Sequence, residues 1–153
     1  MRASCNVHEQ GNAVVIGIVI VAHGGLAREF LAAVEHVVGR QNGIRAISID
    51  ADCNRTAKQA EICAAADAVD EGHGVIVATD MFGGSPSNLS LMACSPEDRR
   101  IVYGANLPLL IKLAKSRHLP VAEAVRCSLM AGRKYLDTMI RATPELNLAS
   151  SRG

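Results

Sequence analysis

The sequence predicts an α/β fold: a doubly wound, mainly parallel sheet of strand order 2-1-3-4 with helices on both faces. Three observations predict it. Strand-like apolar runs alternate along the chain with segments of helical periodicity. The first and third runs, residues 14–21 and 75–79, are almost wholly aliphatic, as strands covered on both faces must be. Each connection between runs is long enough for a right-handed crossover. A chain that winds outward to its second strand and returns for its third makes strands one and three neighbours. The crevice beyond their C-terminal ends is then the topological switch point, where such folds place their ligands.

Each element has its own signal. Residues 14–21 read as a strand buried on both faces. The following helix carries Leu26, Phe30, Ala33, Val34, Val37 and Val38 at the spacing of one helical face, and residues 39–43, bounded by glycines, close it. Residues 44–49 form the second strand. Residues 57–69 are Ala-rich and helical, with Thr56 and Gln59 at capping-box spacing. A turn at residues 71–74 leads into the third strand, residues 75–79. Ser85 then reads as a capping residue and Pro86 as the first position of a short helix. Residues 101–103 make a fourth strand, and Asn106, Leu107 and Pro108 open a helix running to about His118. Pro120 starts the last helix, with Val121, Val125, Leu129, Leu136 and Ile140 among its apolar positions. Residues 1–13 are polar and without periodicity, an expected flexible extension. The domain proper is expected at residues 14–142, with a tail at 143–153.

Composition narrows the function. With 153 residues the chain fits one domain that can bury a core without staples. Aromatics are 3% and Trp is absent, so aliphatic residues must build that core. The net charge is +1 and no segment concentrates Lys and Arg, which argues against nucleic acid as a partner. The longest apolar run is too short to span a bilayer and no cleavage pattern follows it, so neither membrane insertion nor export is expected. Cys5, Cys53, Cys63, Cys94 and Cys127 are odd in number and form no C-x-x-C pair, as reduced thiols of a cytoplasmic protein would be.

The residues that carry chemistry sit at the predicted crevice. His23 ends the first strand and is followed by Gly24 and Gly25. A lone histidine there is more often a loop residue than a nucleophile, but Asp80 ends the third strand and would meet it. A carboxylate can accept from one imidazole N–H, fix the tautomer and leave the other nitrogen as nucleophile. Gly83, Gly84 and Ser85 would supply close backbone approach, free amides at a helix start and a hydroxyl, a cradle for a phosphoryl group. The segment is neither a Walker loop nor a dinucleotide fingerprint, so no nucleotide and no other cofactor is expected. Ser85 also lacks the context of a hydrolase nucleophile.

Taken together, residues 23–27 (His-Gly-Gly-Leu-Ala), 80–88 (Asp-Met-Phe-Gly-Gly-Ser-Pro-Ser-Asn) and 104–108 (Gly-Ala-Asn-Leu-Pro) resemble the mannose-type IIA (EIIA) domain of the bacterial phosphoenolpyruvate-dependent sugar phosphotransferase system. The resemblance runs over about residues 15–141 in the same order. It implies a homodimer whose histidine accepts a phosphoryl group from the phosphocarrier protein HPr and passes it to a IIB domain. Carried over residue by residue, His23 is the acceptor, Asp80 its partner, and Gly83, Gly84 and Ser85 the phosphate-binding turn. Gly24, Asn106 and Pro108 would lie at the rim. Ala22 stands where the family often has Thr, and Ala105 where it often has Val. No IIB domain follows within the sequence, so the expected acceptor is a separate IIB-type protein or a regulatory target.

Two other readings compete. A regulatory module would use the same histidine to switch binding to a partner without onward transfer. A tetrapyrrole metal chelatase also places His-Gly after a first strand, but it needs further ligands, and His73 falls at the wrong edge of the sheet. His36, His73 and His118 read as ordinary structural histidines, and no metal is expected.

Overall fold

The computed structural model describes residues 15–139. The expected extension at 1–13, the tail at 143–153 and Ile140 lie outside the described residues. The elements follow in the order β1 (Gly17–His23), α1 (Leu26–Val38), β2 (Ile44–Ile49), α2 (Arg55–Val69), β3 (Val75–Thr79), α3 (Ser85–Ser90), a single 3₁₀ turn (Met92–Cys94), β4 (Arg99–Val102), α4 (Leu107–Lys115) and α5 (Val121–Lys134). The four strands form one sheet of order β2-β1-β3-β4, parallel throughout, as the sequence predicts.

Strand alternation sorts the core into two layers. Ile18, Ile20 and Ala22 of β1 face α1, α4 and α5, where they meet Val34, Leu109, Leu113 and Ala124. Val19 and Val21 face the other way, onto Ile62, Ala66 and Val69 of α2 and Leu89 of α3. Each such side chain contributes roughly 1.5–3 kcal/mol on burial, which makes the central strands the most strongly held part of the molecule. Gly17 is where α2 comes closest: a Cβ there would overlap the Val69 carbonyl.

Two arginines tie down the end of the sheet opposite the crevice. Arg99 donates from Nη2 to Asp67 at 2.8 Å and Asp70 at 3.0 Å, and from Nη1 to the Ala93 carbonyl at 3.0 Å. Arg117 donates to the carbonyls of Ile16 and Asn42, both at 2.7 Å.

Several boundaries differ from expectation, for local reasons. Strand β1 begins at Gly17 and continues to His23, because its ladder with β2 extends to the pairing of His23 with Ile49. Helix α2 begins at Arg55 and is capped by Asn54, whose Oδ1 accepts from the Ala57 amide at 2.9 Å; the Thr56–Gln59 capping box does not form. Strand β4 starts at Arg99, where it is recruited by pairing with Val75. Helix α4 stops at Lys115, since the Arg117 carbonyl is engaged by the Ile16 amide. Helix α1 turns Ala27 and Val34 inward and leaves Leu26 and Val37 exposed. Helix α5 ends at Lys134, so Leu136 lies beyond it and is exposed. Val121, Val125 and Leu129 pack partly buried against the core as expected, and the fully buried positions between them are Ala124, Ser128 and Gly132. Small residues carry that contact because α4 is so close: a Cβ on Gly132 would sit 3.0 Å from the Leu109 Cβ.

Candidate functional site

Parallel pairing of Val21 with Thr79 puts the ends of β1 and β3 side by side, which brings His23 to Asp80 across 57 residues. His23 Nδ1 lies 2.8 Å from Asp80 Oδ2, and the His23 backbone amide donates to the same oxygen at 3.0 Å. The carboxylate side chain is 12% exposed and the imidazole 47%, so the acid lies beneath a ring that faces solvent. Asp80 Oδ1 is buried and accepts no hydrogen bond.

This arrangement assigns the ring nitrogens. A carboxylate can only accept, so in the neutral imidazole Nδ1 carries the proton and Nε2 keeps a free lone pair. The Nε2 edge lies against Gly84: a Cβ there would stand 3.0 Å from His23 Cε1 and 3.4 Å from Nε2. Glycine at this position leaves the ring uncrowded, where any Cβ would press on it. Gly24, at φ 54°, turns the chain away after the histidine, and its amide donates to the Ile49 carbonyl at 3.0 Å.

The glycine turn is built differently from the sequence expectation. Ser85 is not a capping residue; Gly84 occupies the cap position of α3 without a side-chain hydrogen bond. Ser87 does the local work, accepting from the Gly83 amide at 3.1 Å and donating to the Gly84 carbonyl at 3.0 Å. The Gly83 amide is therefore already engaged. Helix α3 has only 6 residues, too few aligned peptides for a strong dipole.

Ser85 instead accepts a hydrogen bond from Arg55 Nη1 at 3.3 Å. Both residues line, with His23, Gly24, Asp50 and Cys53, a cleft of about 460 Å³. Arg55 is the residue that sequence reasoning missed. One signal pointed to it: a cation in the first turn of a helix opposes the macrodipole, and α2 has no acidic residue there to compensate.

Asn106 and Pro108 do not line this cleft. Asn106 caps α4, accepting from the Leu109 amide at 3.0 Å, and its Nδ2 donates to the Gly132 carbonyl at 2.9 Å. Its amide is thus engaged on both sides, holding α5 against the start of α4. Ala22 and Ala105 are both buried, and the Ala105 amide donates to the Thr79 carbonyl at 2.9 Å.

Beside this polar cleft the loop after Asp80 is apolar. Met81 and Phe82 follow Asp80 and are 52% and 76% exposed, with the Phe82 ring edge-on to Tyr103 at 5.0 Å. His36 lies in the last turn of α1, His73 in the turn before β3, and His118 in the turn after α4. Cys53, Cys63, Cys94 and Cys127 are free thiols, and burial pushes the Cys94 thiol up to about 11. Among the described residues no three His, Cys, Asp or Glu side chains gather as a metal site, and no helix is long and apolar enough to cross a membrane.

Comparison with known proteins points the same way as the geometry. Residues 17–129 match the family described as PTS system fructose IIA component (EIIA-man). The PTS system mannose-specific EIIAB component of Escherichia coli K12 is 29% identical over 103 residues, 67% of this chain and 32% of that protein. The chain thus spans about a third of the length of the curated relatives it matches. The mannose/sorbose-specific IIA subunit from Enterococcus faecalis superposes with a TM-score of 0.74 at 26% identity, covering 85% of this chain and 98% of that one. The IIA protein associated with the fucose utilization operon of Streptococcus pneumoniae gives 0.70 at 28% identity, over 80% and 93%.

Proposed function

The chain belongs to the family of phosphotransferase-system IIA components, and on that premise we propose that it is a cytoplasmic phosphohistidine carrier whose acceptor is His23. The observation that carries the reading is the hydrogen bond from His23 Nδ1 to Asp80 at 2.8 Å, which leaves Nε2 free at a solvent-facing edge.

In the proposed cycle a phosphorylated HPr-like protein docks over the cleft. The Nε2 lone pair forms a bond to phosphorus as the bond from phosphorus to the donor's nitrogen breaks. That electron pair stays with the donor nitrogen, which needs no proton to leave. The phosphorylated ring keeps its Nδ1–H and gains positive character, which the Asp80 carboxylate offsets. Gly84 leaves room for the incoming group, and the Ser85 hydroxyl donates to its oxygens. The reverse exchange hands the group to a separate IIB-type acceptor. Exposed Met81 and Phe82 supply apolar contact area of the kind protein partners use. Family membership also supports a homodimer.

The test is intact-mass measurement after incubation with a phosphorylated HPr-like donor. Wild type is expected to gain a single phosphoryl group and His23→Ala none. Undiminished labelling of the variant would sink the assignment. A regulatory target in place of a IIB acceptor would use the same chemistry; the protein that removes the phosphoryl group separates the two.

A further inference from the structure

Among the described residues, Arg55 is set apart by where its side chain reaches: to Ser85, at the histidine cleft. Arg99 and Arg117 are buried and bound to carboxylates or carbonyls on several sides. Arg55 is exposed, makes no ion pair with any described carboxylate, and stands in the helical turn where a cation is disfavoured. Its side-chain hydrogen bond reaches across 30 residues to Ser85 Oγ, at the histidine cleft.

We propose that Arg55 is a positioning residue for the phosphoryl group carried by His23, an inference that rests on the carrier reading above. A serine oxygen that accepts from Nη1 keeps its own proton free, so the Arg55 contact turns the Ser85 hydroxyl into a donor toward the cleft. The guanidinium has further N–H groups in a planar fork suited to phosphate oxygens, and its charge is permanent. The phosphoryl group brings two negative charges into a cleft that already holds Asp50 at its wall and Asp80 beneath the ring. Among the residues lining the cleft, Arg55 is the cation that offsets them, with Cys53 the remaining titratable neighbour.

The full-length protein is phosphorylated with phosphoramidate, a small donor that needs no docking surface, and the phosphohistidine signal is followed by phosphorus NMR against pH. His23→Ala identifies the His23 signal. Wild type, Arg55→Gln, Arg55→Lys and Ser85→Ala are compared, with circular dichroism to match their folding. A cation held near a titrating anion lowers its pKa, so the second ionisation of the phosphoryl group is expected to rise by about half a unit to one unit in Arg55→Gln. Arg55→Lys restores part of the shift, because it keeps the charge and loses the fork. Ser85→Ala moves it less than Arg55→Gln. A purely structural arginine would leave the titration where it is. Arg55→Gln titrating with wild type overturns this inference and leaves His23 as the carrier. A wild type that takes no phosphoryl group on His23 from either donor overturns the carrier reading and the inference with it.

Discussion

Replacing Asp80 by Asn and by Ala separates two jobs that a single oxygen performs. Oδ2 accepts from the His23 backbone amide at 3.0 Å and from Nδ1 at 2.8 Å. In Asp80→Asn the amide must put its carbonyl oxygen at that point, because an NH₂ there would face a backbone N–H that has no alternative tautomer. The ring therefore keeps its proton on Nδ1 and its lone pair on Nε2. Pairing of His23 with Asp80 alone, without the backbone bond, predicts the opposite: an NH₂ turned toward the ring and an inverted tautomer. The new NH₂ falls where Oδ1 already lacks a partner, so one unpartnered group replaces another. What the variant loses is charge. Two unit charges about 4 Å apart interact by about 1 kcal/mol in water and about 4 kcal/mol at an effective dielectric of about 20. The ring is 47% exposed, which puts the interaction toward the screened end, about 1–2 kcal/mol. That is a slowing of about five- to thirty-fold. Asp80→Ala loses the charge, the ring orientation and the backbone bond together, and about a hundred- to a thousand-fold is expected. The assay is single-turnover transfer from a phosphorylated donor, with circular dichroism confirming equal folding. Asp80→Asn as slow as Asp80→Ala would mean that the tautomer inverts after all. Asp80→Asn within twofold of wild type would mean that the charge is not used.

Three other outcomes are expected. Gly84→Ala adds a Cβ at 3.0 Å from His23 Cε1 on a backbone (φ −85°) that alanine tolerates, so melting temperature should hold while transfer falls about tenfold as the ring is pushed aside; unchanged transfer would show that the edge beside Gly84 is not the reacting one. Burial raises the Asp70 carboxyl, but the Gly72 amide and Arg99 outweigh it and hold the carboxyl below its ordinary value of 3.8. A depressed native pKa stabilises the fold above that ordinary value and ceases to do so as pH falls through the native one. Asp70→Asn should therefore cost about 1–2 kcal/mol in denaturant titrations at neutral pH, and the gap should narrow as pH falls below 3.8 and on through the depressed native value; a gap independent of pH would refute the charge account. Light scattering should report twice the chain mass of 16.1 kDa, and a monomer at micromolar concentration would count against the homodimer.

The sequence by itself determined the sheet, its order and the meeting of His23 with Asp80. Those follow from coarse constraints: apolar runs that can only be buried strands, crossovers of one hand, and strand ends that a parallel register must bring level. The limits of β2 and β3 were legible for the same reason, since each is bounded on both sides by turn residues or charge. Only the tertiary structure decided how the site is wired. The double acceptance at Asp80 Oδ2, the use of Ser87 where Ser85 was expected, and the capping of α2 by Asn54 turn on differences of an ångström in how a loop settles, and several nearby side chains compete for each amide. The faces of α1 and α5 were legible only in part: Phe30, Val34, Val38, Val121, Val125 and Leu129 pack inward as read, but the exposed Leu26, Val37 and Leu136 and the small inward residues of α5 do not declare themselves by hydropathy, and the closeness of α4 to Gly132 selects the latter. The partner of Arg55 was not legible in the sequence for a further reason. Its hydrogen bond joins α2 to the start of α3, and that meeting exists only once both helices pack on the same face of the sheet.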